Sequence, residues 1–132
     1  MGASFLTRYG RRGSDSSLDR IIAILPGIGF HSLPYEVVGS SLPVPATMFA
    51  ALDYRGHGRS EGVRGELRTP ERMTLDVEEW LHELKAPAPS SHLFLVGESM
   101  GGPWAILTAL RRRHKLAGLV LVAPAVIPSW RL

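Results

Sequence analysis

Leu93-Phe94-Leu95-Val96-Gly97-Glu98-Ser99-Met100-Gly101-Gly102 is the stretch whose reading decides the fold. Four apolar residues, Leu93 to Val96, run into G-x-S-x-G, and a helix-like segment follows. Such a pattern describes a sharp strand-to-helix turn that exposes a serine hydroxyl. Gly97 and Gly101 flank Ser99 because a Cβ would clash at such close approach. The helix after the turn aims its N-terminal N–H groups, and the positive end of its dipole, at the serine.

Working outward, three more segments read as strands buried on both faces. Arg20 to Leu25 and Thr47 to Leu52 precede the turn, and Gly118 to Ala123 follows it. Continuous apolar runs of this length fit a parallel sheet covered by helices. Thr69-Pro70 reads as a helix start, with threonine as N-cap and proline at the first helical position. The apolar residues Met73, Val77, Trp80, Leu81 and Leu84 then make one helical face. Asp76, Glu78, Glu79 and Glu83 are expected mostly off that face. A second helix is expected from about Met100 to His114, with Pro103 in its first turn, where a missing N–H costs little. Leu33 to Val38 opens at most a short helix, because Gly39, Pro43 and Pro45 follow. Met1 to Leu18 reads as a flexible tail, with a short strand around Phe5 to Tyr9, and residues 19–132 as one domain portion. Strands alternating with helices imply an α/β fold, a mostly parallel sheet with helices on both faces.

Composition excludes several classes. The 132 residues contain no cysteine, so there is no disulfide framework and no thiol chemistry. The net charge of +3 is modest. The densest basic run, Arg111-Arg112-Arg113-His114-Lys115, falls at a helix C-terminus, where cations complement the dipole. No nucleic-acid motif accompanies it, and no nucleic-acid partner is expected. Gly118 to Trp130, the most apolar segment, is too short to span a bilayer and contains Pro124 and Pro128. No cofactor and no metal is expected. The expected location is cytoplasmic, with plastid and membrane surface as alternatives.

Three motifs line up in one order. Pro26-Gly27-Ile28-Gly29-Phe30-His31-Ser32, with Tyr35 soon after, resembles the H-G-x-G-x-H-S…Y segment of monoacylglycerol lipase-like α/β-hydrolases. Asp53-Tyr54-Arg55-Gly56-His57-Gly58-Arg59-Ser60-Glu61-Gly62 is similar to that family's D-x-R-G-H-G-x-S-E-G loop, and Gly97 to Gly102 to its G-x-S-M-G-G turn. The wording of the second motif points to the lipase and lysophospholipase branch, which in plants includes caffeoylshikimate esterase-like members. The resemblance implies that Ser99 is the nucleophile and that the backbone N–H groups of Ile28 and Met100 form the oxyanion hole. Two preset donors stabilise the oxyanion of an attacked ester without reorganising, and losing one typically costs about 3 kcal/mol of barrier. Pro26 stands where the family usually has histidine, and Pro103 and Trp104 replace smaller residues.

Serine is a poor nucleophile unless a base takes its proton and a carboxylate orients that base. In this fold the order is Ser, then Asp or Glu, then His. No Asp or Glu follows Ser99, and the only later histidine is His114. At 1.5 Å per residue, the helix puts His114 on the order of 20 Å from Ser99. His31 and His57 lie in motif loops with expected bracing roles, His82 and His92 are expected in solvent, and Asp53 is expected to hold the Arg55 to Gly58 loop. The chain is therefore expected to be the N-terminal half of an α/β-hydrolase, a partial fold lacking the cap and the C-terminal strands.

The first functional reading is a carboxylic ester hydrolase that forms an acyl-enzyme on Ser99. Its substrate is a small-molecule ester or lipid, and this chain alone is weakly active or inactive. The alternative is a non-catalytic binding or regulatory chain. Peripheral membrane contact, self-association through an exposed sheet edge, and acyl transfer to an alcohol also stay open.

Overall fold

The structure is a computed structural model and describes residues 8–9, 18–42 and 44–126. One five-stranded sheet organises the chain, with strand order β1-β3-β2-β4-β5. The strands are β1 (Arg8–Tyr9), β2 (Arg20–Leu25), β3 (Thr47–Ala51), β4 (His92–Glu98) and β5 (Leu116–Val122). β1 runs antiparallel to β3, and all other pairings are parallel. The short strand expected between Phe5 and Tyr9 is found at Arg8–Tyr9; the remaining residues of the expected tail, save Leu18, lie outside the described residues.

The β2–β4 register runs from Arg20↔His92 to Leu25↔Gly97. Chain order reverses between these two strands, because β3 adds on one side of β2 and β4 on the other. In open α/β sheets the crevice at such a switch point is where ligands bind. Here the loop after β2 and the turn after β4 leave the sheet side by side.

Three helices connect the strands. A single 3-10 turn, Leu33–Tyr35, leads into α1 (Glu36–Ser41), which packs against β1 and β3. α2 (Pro70–Lys85) begins as the sequence predicts, with the Thr69 hydroxyl accepting from the Arg72 N–H at 3.3 Å. α3 (Gly101–Arg111) ends before His114, because Arg112 turns into the left-handed region at φ 54°. The core joins Ile21, Ala23 and Leu25 of β2 and Leu93 and Leu95 of β4 to the apolar face of α2. Met73, Val77, Trp80, Leu81 and Leu84 are all essentially fully buried. Burial of each stabilises by roughly 2 kcal/mol relative to exposure. On β3, Phe49 and Ala51 alternate away from Met48 and Ala50, and all four are buried, so both faces of that strand are covered.

Two acidic residues depart from the sequence reading. Asp76 and Glu78 were expected off the buried face, yet both are buried. Each has cations to hold it. The Arg55 guanidinium grips Asp76 with two hydrogen bonds of 2.9 and 3.0 Å, and Arg72, one turn earlier, adds a third contact. Arg111 Nε lies 2.7 Å from one Glu78 oxygen and Arg113 lies 3.3 Å from the other. The basic run after α3 thus neutralises a carboxylate on α2, beyond complementing the helix dipole.

β5 differs from its neighbours. Leu119, Val120, Leu121 and Val122 are 39% to 48% exposed, so side chains on both faces of this edge strand meet solvent. Leu110 of α3 is 71% exposed. No helix among the described residues is long and apolar enough to cross a membrane.

Replacing both Arg111 and Arg113 with alanine strands the Glu78 carboxylate without a cation. We expect a loss of about 2 kcal/mol in urea unfolding, less than for a fully buried pair because both arginines are partly exposed. Adding Glu78→Gln to the double variant should recover most of it; no recovery would show that the arginines act through packing alone.

Candidate active site

Ser99 sits between β4 and α3 with φ of 48°, a left-handed conformation for a residue with a side chain. That strain costs on the order of 1–3 kcal/mol and persists only where surrounding contacts impose it. They do so here. The Ser99 N–H donates to Val122 O at 2.9 Å, and its carbonyl accepts from Gly102 N and Ala125 N at 3.0 and 2.8 Å. The end of β5 thus grips the turn from one side.

The other side is held by close approach. A Cβ on Gly97 would lie 2.7 Å from Gly101 O and 2.8 Å from Ala105 Cβ. One on Gly101 would lie 2.0 Å from Leu25 O. Only hydrogen fits at these positions, so the glycines of G-x-S-x-G bring the end of β2 against the start of α3. The loop that follows Leu25 is carried to Ser99 by the same contact: a Cβ on Gly27 would stand 3.3 Å from Ser99 Cβ and 3.9 Å from its Oγ.

This contact brings together the three residues singled out from the sequence. Ile28 follows Gly27, and Met100 follows Ser99 at the helix start. Among the described residues, neither Ile28 N–H nor Met100 N–H has a hydrogen-bond acceptor. The Ser99 hydroxyl also has no hydrogen-bond partner among them. Ile28 is 62% exposed and Ser99 is half-buried, so both are accessible from solvent.

Asp53 joins the two flanking loops. One carboxylate oxygen accepts from Ser32 N at 2.6 Å and the other from Arg59 N at 2.9 Å. Its carbonyl accepts from the Ser60 hydroxyl at 2.6 Å. A Cβ on Gly58 would lie within 2.5 Å of all three carboxyl atoms. With both oxygens committed, Asp53 is a bracing residue, as its position suggested. His57 Nδ1 is 3.1 Å from Arg55 O, and His31 Nδ1 accepts from Leu33 N at 3.3 Å. The two imidazoles share a cavity with Asp53, Arg59 and Arg64, and Ser99 is not on its wall. His114 lines a cavity with Lys85, His92 and Lys115 at the start of β4, the end opposite Ser99. Burial lowers its pKa from the ordinary imidazole value.

Two contacts were not legible in the sequence. The Tyr35 hydroxyl donates to Glu98 Oε2, joining the 3-10 turn to the residue just before Ser99. The Tyr54 hydroxyl, fully buried, donates to Pro26 O at 3.0 Å. Burial raises the pKa of both phenols, and for Tyr35 the Glu98 hydrogen bond adds to it. Both therefore remain protonated donors across the working pH range. No cluster of three or more metal-ligating side chains occurs among the described residues.

A strained serine on a strand–turn–helix, at the switch point of a parallel sheet, defines an α/β-hydrolase. The chain belongs to the family described as serine aminopeptidase S33, which it matches over residues 16–132. It is 36% identical over 109 residues to the monoglyceride lipase of Homo sapiens, and 28% identical over 106 residues to the monoacylglycerol lipase of Mycolicibacterium smegmatis. These matches cover 83% and 80% of the chain but only 36% and 38% of the relatives' lengths. The chain thus spans little more than a third of these curated relatives. Among solved structures, a soluble monoglyceride lipase variant from Saccharomyces cerevisiae bound to a substrate analog superposes with a TM-score of 0.73. At 21% identity, over 95% of this chain and 41% of that one, the likeness shows the fold.

Placing a methyl group on Gly101 forces Leu25 and α3 apart. We expect Gly101→Ala to lower stability by about 3 kcal/mol or more, read as an earlier urea midpoint. A variant as stable as the parent would contradict the close packing of β2 on the turn.

Proposed function

We propose that this chain carries the nucleophile and oxyanion portion of a carboxylic ester hydrolase. The substrate is a small ester or lipid ester of the monoacylglycerol or lysophospholipid kind. The observation that carries this reading is the pair of unpartnered N–H groups, Ile28 and Met100, beside a strained, accessible Ser99. The names of the monoglyceride lipase relatives support the substrate class.

In this reading Ser99 Oγ attacks the ester carbonyl, and the developing oxyanion is received by the two N–H groups. The tetrahedral adduct collapses, the alcohol leaves, and the acyl group remains on Ser99 until water releases the acid. Each step needs a proton taken from an attacking hydroxyl and given to a leaving oxygen. No side chain among the described residues is hydrogen-bonded to Ser99 Oγ to do this. The described residues supply no such base, and in this reading the polypeptide alone turns over slowly. Binding and an oxyanion hole without a working triad leave only residual catalysis.

A second reading rests on β5. Its apolar, half-exposed edge can pair with another strand. As a binding or regulatory chain, the protein would self-associate through β5. Light scattering against concentration tests this, and a monomer at every concentration would exclude it.

The hydrolase reading is tested with a fluorophosphonate probe. We expect slow labelling that Ser99→Ala abolishes, with hydrolysis of a simple aryl ester close to the uncatalysed rate. Labelling that survives Ser99→Ala would remove Ser99 from the role. Turnover of the isolated chain at ordinary enzyme rates, on the order of 10 per second, would show that a base has been overlooked.

A further inference from the structure

The loop between Pro26 and Gly29 has few internal means of holding one conformation. Pro26 has no N–H, two of the next three residues are glycines, and the Phe30 N–H to Gly27 O contact at 3.2 Å is its one internal backbone bond among the described residues. Two tyrosines constrain its ends. Tyr54 Oη donates to the Pro26 carbonyl at 3.0 Å. Tyr35, in the turn that follows the loop, donates its hydroxyl proton to Glu98, the neighbour of Ser99.

We propose that Tyr35 and Glu98 are positioning residues that set the Ile28 N–H and the Met100 N–H at a fixed separation. This rests on the hydrolase reading for its purpose, though not for its geometry. The two donors come from segments far apart in sequence, and no covalent path holds them in register. A Cβ added to Gly27 would stand 3.3 Å from Ser99 Cβ, so the bare glycine is what lets the two segments come this close. The hydrogen-bonded bridge through Tyr35 limits how far apart they drift. Tyr54 anchors the Pro26 carbonyl, and its ring is buried. The bridge matters because a donor pair must be aimed before the reaction begins, and a displacement of about 1 Å can cost two orders of magnitude in rate.

Tyr35→Phe keeps the ring and removes the bridge; Glu98→Gln keeps an acceptor for the phenol. By 15N–1H NMR of the full 132-residue chain, Tyr35→Phe should move the amide resonances of Ile28 and of Met100 together, while Ala23 and Ala50 in the sheet stay. Glu98→Gln should give smaller shifts at the same amides. In the labelling assay, Tyr35→Phe should slow Ser99 modification roughly tenfold at an unchanged unfolding midpoint, with Glu98→Gln close to the parent. Shifts confined to the residues around Tyr35, or an undiminished labelling rate, would overturn the proposal. If the parent chain is not labelled at all, the hydrolase reading fails, and the paired movement of Ile28 and Met100 still decides whether Tyr35 couples them.

Discussion

The approach of Gly101 to the Leu25 carbonyl is the constraint on which the rest of the structure depends. A methyl group there would stand 2.0 Å from the oxygen, so α3 starts where it does only because the chain has no side chain at that point. The consequence is geometric. Because Leu25 pairs with Gly97 at the last rung of the β2–β4 ladder, the loop after β2 and the turn after β4 emerge in contact. Ser99 takes a left-handed conformation there, beside the loop that carries Ile28. A local steric requirement at one glycine thereby brings the loop after β2 and the Ser99 turn together.

Around that contact, charge does the work that apolar packing cannot. The loops at the C-terminal ends of the strands are rich in glycine, and their apolar side chains Ile28, Phe30, Val63 and Leu67 are exposed rather than packed, so the loops have no core of their own. They are tied by carboxylates. Asp53 holds the first and second motif loops to each other, and Asp76 holds Arg55 of the second loop to α2. A carboxylate can accept several N–H donors at once, and charge-assisted bonds are stronger than neutral ones. Glu78 repeats the device lower in the molecule by tying α2 to the residues just after α3. The buried acids of α2 are thus fasteners between elements rather than solvated groups.

Much of this was legible in the sequence because the signals are local. The G-x-S-x-G turn, the Thr69-Pro70 helix start and the buried-type runs of β2, β3 and β4 each follow from neighbouring residues, and the motif order fixed the fold family. What escaped was relational. Nothing near Asp76 or Glu78 announces the arginines that neutralise them, because Arg55, Arg111 and Arg113 arrive from other elements. Periodicity alone therefore places both acids mostly off the apolar face. The end of α3 at Arg111 escaped for another reason: Arg112 takes up a conformation that usually calls for glycine. The Tyr35–Glu98 bond was hidden because Glu98 occupies the variable position of the motif, and its partner stands 63 residues earlier.

In the hydrolase reading the site divides between backbone groups and side chains. Ser99 on its strained turn and the unpartnered N–H groups of Ile28 and Met100 depend only on β2, β4, α3 and the loops beside them. A general base and its acid must still reach the Ser99 hydroxyl, which has no hydrogen-bond partner among the described residues. Leu119 to Val122 of β5 are also left half-exposed. Cover for that apolar edge and a proton acceptor for Ser99 are thus two separate requirements that the described residues do not meet.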